Sequence, residues 1–249
     1  MLSIEHLSFS YGSSPVLSDV SFNVADGENT VILGVNGEGK TTLLRCICGV
    51  LHPLSGKICL DGKDITSAKA FERARRIAYV PQLQRISSLT VFDTVLSGRR
   101  GAYSFLPGKS DRKRTGSIIE QLGIADLAAK KTYELSGGEL RKVSVARALC
   151  SDAKLILMDE PTANLDIGGA VKLIETIKDI SEQNSVTFIV TMHDISLASR
   201  FSDKIILMKN GTVSATGGTE ILTPEKIKEV YGIDASVHDL HGTTVAIPK

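Results

Sequence analysis

Three clusters of residues in this sequence have the types and spacing that chemistry on a phosphate group requires. The first is Gly34-Val35-Asn36-Gly37-Glu38-Gly39-Lys40-Thr41, a G-x-x-x-x-G-K-T loop. Its glycines let main-chain N–H groups curl around phosphate oxygens, Lys40 has the reach for β- and γ-phosphates, and the Thr41 hydroxyl suits Mg²⁺, all at the positive N-terminus of a helix. The second is Leu155-Ile156-Leu157-Met158-Asp159-Glu160, four apolar residues of a strand whose end presents two carboxylates. Asp159 fits the metal role, and Glu160, turned elsewhere as the strand ends, fits a base that polarises an attacking water. The third is Leu135-Ser136-Gly137-Gly138-Glu139, where a serine and two glycines open a helix and make a second anion-binding terminus. Taken singly, an empty glycine loop, two helix-capping acids and a plain N-cap are the simpler readings. A loop set between an apolar strand and a helix, with the acids after another strand, favours the chemical one.

These clusters need a scaffold that brings distant segments to one edge. Leu2-Ser3-Ile4-Glu5 and Val20-Ser21-Phe22-Asn23-Val24 alternate as strands around the turn-rich stretch from Tyr11 to Pro15, which predicts an antiparallel start. Residues 29–33 are short and apolar, as a strand buried on both faces is, and residues 41–50 read as a helix. Strands follow at 57–60 and 77–80. From about Gln84 to Leu149 the spacing turns helical, through Val91, Val95, Ile118, Ile119, Leu122, Leu127, Val143, Ala146 and Leu149, with no convincing strand. Strands return at 155–158, 186–190 and 205–208, and the first two flank a helix striped by Val171, Ile174, Ile177 and Ile180. Such alternation implies parallel βαβ units, hence an α/β core. The core takes about 1–83 and 150–222, a helical insertion 84–149, and a C-terminal extension 223–249, with a helix near Pro224 to Tyr231 and weak strands near Val237 and Val245.

The chain has 249 residues, 42% hydrophobic and 23% charged, which excludes a disordered or disulfide-scaffold protein. Lys and Arg total 29 against 28 Asp and Glu, a formal net charge of +1, so no nucleic-acid partner is expected. No stretch approaches the roughly 20 apolar residues of a membrane span. The opening Met-Leu-Ser-Ile-Glu lacks the features of a secretory signal, so a soluble, cytoplasmic protein is expected. Cys46, Cys48, Cys59 and Cys150 show no paired spacing and are expected to be buried reduced thiols. Between Ser97 and Thr115, Arg99, Arg100, Lys109, Arg112, Lys113 and Arg114 face Asp111 alone, a solvated basic surface or a docking site.

Taken in order, the G-x-x-x-x-G-K-T loop, Gln82, the run Leu135 to Glu139, the strand ending in Asp159-Glu160, and His193 after a further strand resemble the ATP-binding subunits of ABC transporters over nearly the whole chain. The resemblance implies a P-loop NTPase core of ABC ATPase type, with an N-terminal antiparallel β subdomain and an inserted α-helical subdomain, in one nucleotide-binding domain over 1–249. It implies ATP and Mg²⁺. It places nucleotide contacts at Gly34, Val35, Asn36, Gly37, Glu38, Gly39, Lys40, Thr41 and Thr42, with Tyr11 stacked on adenine. Metal contacts fall to Thr41, Gln82 and Asp159, and catalytic roles to Glu160, Gln82 and His193, the histidine holding the γ-phosphate and orienting Glu160. Ser136, Gly137, Gly138 and Glu139 resemble the signature that contacts nucleotide bound by the opposite subunit, and Asp166 ends a loop similar to one that crosses the dimer interface. A homodimer is therefore implied. Val35 and Thr41 stand where such families often have Pro and Ser, and both keep the cradle and the hydroxyl.

The resemblance also implies integral membrane permease subunits, a place on the cytoplasmic face of the cell membrane, and an extracytoplasmic substrate-binding protein engaged indirectly. The stretch from Ile221 to Ile233 resembles subunits that energise uptake of ferric siderophores, haem and cobalamin. Zinc and manganese importers use closely similar subunits, and a soluble ATPase of iron–sulfur cluster assembly has this size. Of the two readings of the basic segment, the functional one has it receive a permease helix together with the Gln82 loop, and the other leaves it a solvated surface.

Overall fold

A computed structural model describes residues 2–82, 86–101 and 106–249. The expected start of the helical region at Gln84 and the side chain of Arg100 lie outside the described residues. The chain opens with β1 (Leu2–Tyr11), β2 (Ser14–Val24) and β3 (Asn29–Leu33), followed by α1 (Lys40–Ile47), β4 (Ser55–Leu60), β5 (Lys63–Asp64), α2 (Ala70–Ala74) and β6 (Ile77–Val80). Then come α3 (Val91–Leu96), α4 (Lys109–Gln121) and α5 (Gly137–Cys150), with no strand between β6 and α5 among the described residues. The chain continues through β7 (Leu155–Asp159), α6 (Ile167–Asn184), β8 (Thr187–Thr191), α7 (Ile195–Phe201), β9 (Lys204–Lys209) and β10 (Thr212–Gly217). It closes with α8 (Pro224–Tyr231), β11 (Ala235–Leu240) and β12 (Thr243–Pro248).

The main sheet runs β10-β9-β3-β8-β7-β6, parallel from β9 to β6. An antiparallel sheet, β2-β1-β4-β5, packs beside it, and β11 and β12 form a separate hairpin. The apolar runs read as two-face strands because the pleat sends alternate residues to opposite layers. Ile32, Leu157, Ile189 and Ile206 join the core under α1 and the antiparallel sheet. Their neighbours Val31, Ile156, Val190 and Ile205 join the core under the remaining helices. The strand Thr212–Gly217 has no counterpart in the sequence reading, since its Thr, Ser and Gly residues cover only an antiparallel edge.

Most helices start where the chain supplies an oxygen. Thr90, Ser136, Asp166, Asp194 and Thr223 each accept an N–H from the first turn that follows. Helix α1 differs: its N-cap is Gly39 in the left-handed region, and no side chain fills the cap. Its opposite end is held by a cation. Arg73, 2% exposed, donates to the carbonyls of Cys46 at 3.0 Å and Ile47 at 3.2 Å, and to Thr66 at 2.5 Å. A guanidinium at a helix C-terminus satisfies carbonyls that have no partner within the helix and complements the dipole.

Two expectations are corrected by packing. In the basic segment Arg99 departs from the expectation, since its side chain is 13% exposed and bonds Asp111 at 2.8 Å and Asp152, whereas Lys109, Arg112, Lys113 and Arg114 are exposed, as a solvated basic surface is. Arg114 donates to the carbonyls of Leu149 and Ser151. These arginines join the start of α4 to the end of α5, where three adjoining segments leave carbonyls and carboxylates that need donors. Cys46 and Cys150 are buried as expected, but Cys48 and Cys59 are only half-buried. Burial pushes the Cys46 thiol up to about 12.

Because Arg73 donates to three main-chain carbonyls, of which only that of Cys46 is shared with the Gly49 N–H among the bonds described, the change Arg73→Ala is expected to lower the unfolding free energy by about 2–4 kcal/mol. Urea unfolding followed by circular dichroism measures this, and an unchanged midpoint would mean that α1 does not need its C-terminal cation.

Candidate functional site

The site lies at the C-terminal edge of the parallel strands, where open α/β sheets place their ligands. The loop from Gly34 to Gly39 leaves β3 and enters α1. At Gly34, with φ +154°, a Cβ would lie 2.6 Å from the Met208 carbonyl oxygen; at Gly39, with φ +85°, it would lie 2.8 Å from Leu17. Both positions therefore need glycine on steric grounds as well as for backbone conformation. Lys40, 5% exposed, folds back over the loop and donates to the carbonyls of Gly34 at 2.7 Å and Val35 at 2.8 Å. Burial pulls its pKa down, while Glu160, Asp159 and Glu38 pull it back up. Thr42 is buried in α1, and the Glu38 carboxylate accepts the Gly211 N–H at 3.3 Å, so its side chain faces away from the cradle.

Strand β8 lies between β3 and β7, so the glycine loop and Asp159 are not on neighbouring strands. Side chains close that gap. Asp159, 1% exposed, accepts from the Thr41 hydroxyl at 3.0 Å and the Thr191 hydroxyl at 2.8 Å on one oxygen, and from the Tyr79 hydroxyl at 3.4 Å on the other. Burial, with the Asp159 charge beside it, pushes the Tyr79 hydroxyl up to about 12. Carboxylate and hydroxyl oxygens side by side are the donor set of a hard divalent cation, so Thr41 and Asp159 fit Mg²⁺.

Glu160 breaks away from the strand with φ 49°, an uncommon conformation for a residue with a Cβ. Its N–H donates to the Thr191 hydroxyl at 2.9 Å and its carbonyl accepts the Ala163 N–H at 3.1 Å, which hold the strained turn. The result separates the two acids: Asp159 points into the sheet edge, and the Glu160 side chain, 16% exposed, points outward. There the Gln82 amide donates to one Glu160 oxygen at 2.7 Å, and His193 Nε2 is hydrogen-bonded to the other. Gln82 is thus joined to Glu160, with no hydrogen bond to Thr41 or Asp159 among the described residues.

Tyr11, 48% exposed at the end of β1, sets its ring edge-on to Phe9, with centroids 4.9 Å apart. The Arg45 guanidinium on α1 has its pKa raised, chiefly by the nearby Tyr79 hydroxyl and also by that of Tyr11. At the other cluster, Ser136 caps α5 and forms a reciprocal box with Glu139, whose carboxylate accepts the Ser136 N–H at 2.8 Å and hydroxyl at 2.7 Å. Those bonds hold the Glu139 carboxyl below its usual pKa. Gly137 and Gly138 follow in the first turn. No hydrogen bond joins Ser136, Gly137, Gly138 or Glu139 to residues 34–42 among the described residues. Asp166 caps α6 by accepting the Gly169 N–H at 2.6 Å.

Three residues at this edge escaped the sequence reading. Thr191 and Tyr79 sit among apolar strand residues, and nothing local distinguishes a core hydroxyl from one aimed at Asp159. Arg141, 2% exposed on α5, donates to the carbonyls of Pro81 at 2.9 Å and Gln82 at 2.6 Å. It stands in a run with Lys142 and Arg147, where only burial singles it out.

A family model described as ABC transporter matches residues 17–163. The chain is 42% identical to an uncharacterised ABC transporter ATP-binding protein of Methanocaldococcus jannaschii, over 100% of this chain and 98% of the relative. It is 35% identical to the phosphonates import ATP-binding protein of Nitratidesulfovibrio vulgaris, over 93% and 91%, and 35% identical to the hemin import ATP-binding protein of Bordetella pertussis, over 95% and 94%. Among solved structures, a metal-chelate type ABC transporter in an inward-facing conformation has a TM-score of 0.85 and 27% identity, over 100% of this chain and 96% of that chain. A dimeric ATP-binding cassette in a post-hydrolysis state, bound to ADP and Pi, has a TM-score of 0.80 and 27% identity, over 88% and 99%.

Thr191 supports both acids, so Thr191→Val is expected to lower the rate of ATP hydrolysis at least about 10-fold while changing ATP affinity little. Steady-state kinetics and fluorescent-nucleotide titration would separate the two effects; a native rate would show that Thr191 only fills space.

Proposed function

The chain belongs to the ABC transporter family as an ATP-binding, ATP-hydrolysing cassette, and from that premise we propose that it works as a homodimer on the cytoplasmic face of a membrane, energising an importer of ferric siderophore, haem or cobalamin. The observation that carries the catalytic part is the placement of Glu160 between Gln82 and His193, beside the oxygen cluster of Thr41 and Asp159. The glycine loop and the uncapped N–H groups of α1 bind the phosphates, Lys40 leaves its two carbonyls to pair with them, and Tyr11 stacks on adenine. Thr41 and Asp159 would hold Mg²⁺, with Gln82 as a further contact. When bound, the ion neutralises charge on the β- and γ-phosphate oxygens. Glu160 polarises the attacking water and takes up its proton, and His193 orients Glu160 and the γ-phosphate.

Ser136, Gly137 and Gly138 contribute to the nucleotide of the partner chain, with Asp166 at the interface. The separation of that cluster from the glycine loop and the dimeric structural relative support this reading. Among the described residues no helix is long and apolar enough to cross a membrane, which supports separate permease subunits. Their seat is better sought at Ile86, Leu89 and Tyr133, exposed apolar residues on two segments joined through Ser87 and Thr132, than at the paired Arg99. The metal-chelate transporter matched over the whole chain, C-terminal extension included, and the hemin import relative favour an iron- or cobalt-containing cargo.

Glu160→Gln is expected to bind ATP, hydrolyse it at least about 100-fold more slowly, and elute as a dimer when ATP is present. Native turnover with a monomeric elution would overturn both the role of Glu160 and the shared site. The cargo is tested by copurifying the permease and measuring ATP-driven uptake of haem, a ferric siderophore, cobalamin and a phosphonate into proteoliposomes. Uptake of the phosphonate alone would overturn the metal-chelate cargo, and absence of any copurifying membrane protein would overturn the import assignment itself.

A further inference from the structure

Arg141 is a buried cation with no carboxylate in hydrogen-bond contact among the described residues, and its burial needs a reason. Taking a guanidinium out of water costs several kcal/mol unless its donors are used. Here they are used on two successive main-chain carbonyls, Pro81 at 2.9 Å and Gln82 at 2.6 Å. The planar fork presents its N–H groups in a fixed geometry, one nitrogen to each carbonyl. The two segments it joins are the reverse of incidental. Gln82 carries the amide that donates to Glu160, and α5 begins at Gly137, whose cap Ser136 and neighbour Gly138 form the glycine signature. Arg141 lies on the second turn of that helix, and a hydrogen-bonded helix moves as a rod.

We propose that Arg141 is a positioning residue that makes the signature of each chain follow the Gln82 loop of the same chain, and so couples the two ATP sites of the dimer. This rests on the reading that Ser136, Gly137 and Gly138 serve the partner's nucleotide. Occupation of one site draws the Gln82 amide from Glu160 toward the bound phosphate. The Pro81 and Gln82 carbonyls move with it, Arg141 carries α5 along, and Ser136 is presented to the second site. Loading of one nucleotide thereby favours productive loading of the other, which is a coupling free energy between two distinct sites.

The test compares the full-length wild type with Arg141→Lys and Arg141→Met. Binding of a fluorescent ATP analogue to the monomer at low protein concentration should stay within about twofold of wild type in both, since among the described residues the Arg141 side chain hydrogen-bonds only the Pro81 and Gln82 carbonyls. The Hill coefficient of ATP hydrolysis, clearly above 1 in the wild type, should fall to about 1 in Arg141→Met with kcat down about 10-fold. Arg141→Lys should recover part of each, because the ammonium can still donate to these carbonyls but lacks the rigid two-nitrogen fork that fixes both. Lysine keeps the charge and the helix, so this variant reports even if the methionine variant fails to fold. Native cooperativity in Arg141→Lys and in any folded Arg141→Met would overturn the assignment, as would a loss of cooperativity matched by an equal loss of monomer affinity. A wild type that hydrolyses ATP with a Hill coefficient of 1 and never dimerises would overturn the two-chain reading and the coupling with it, whereas a cooperative wild type with unaltered variants removes Arg141 alone.

Discussion

The catalytic edge depends on one buried carboxylate and the hydroxyls that satisfy it. Asp159 is almost without solvent, and an isolated charge there would be prohibitive. Thr41, Thr191 and Tyr79 supply its partners, and each comes from a different element. The consequence is mechanical as well as electrostatic. Because β8 separates β3 from β7, no main-chain ladder joins the glycine loop to the acid strand. The Asp159 cluster does, and it sets the first turn of α1 and the Glu160 turn against a common reference.

Glu160 shows why that reference matters. Its left-handed backbone is uncommon, and it persists because Thr191 accepts its N–H while donating to Asp159. One threonine hydroxyl therefore serves two acids with opposite directions. Outside the sheet edge, Gln82 and His193 each hold one oxygen of the Glu160 carboxylate. On the function proposed above, nucleotide binding must compete for both partners, so Glu160 becomes available to water as the γ-phosphate is engaged. Lys40 presents the same exchange on a smaller scale, since the carbonyls of Gly34 and Val35 hold the ammonium that the phosphates would take.

The C-terminal extension is tied into this edge. Ser199, on the helix that follows His193, accepts the Thr244 N–H at 3.0 Å and lies against the Thr244 carbonyl at 3.3 Å, so β12 is fastened along α7. Tyr231 closes α8 with its hydroxyl toward the Gly34 main chain, and burial pushes that hydroxyl up to about 12. Val230 and Ala235 belong to the main core. A segment that looked like an appendage in the sequence packs against the supports of both the glycine loop and the histidine.

The amino-acid sequence by itself determined the α/β class, the strands buried on both faces, the glycine loop and the acids that end β7. These features are local: alternation, a helix cap or a glycine needed by a close approach is decided by residues a few positions apart. The sequence also carried the order of Gln82, the signature and His193, although their chemistry came from resemblance rather than from spacing. Only the tertiary structure decided that Thr191 would support both acids, that Arg73 would cap the helix of the glycine loop, and that Arg141 would grip the Gln82 segment. It likewise took Arg99 out of the basic surface, solvated or docking, and made it the partner of Asp111 and Asp152. The reason is that a hydroxyl in an apolar strand or an arginine in a basic run looks the same in sequence whether solvent or a distant carbonyl satisfies it. Which one does so depends on contacts made across 27 to 60 residues of chain, and those exist only once the sheet and helices have packed.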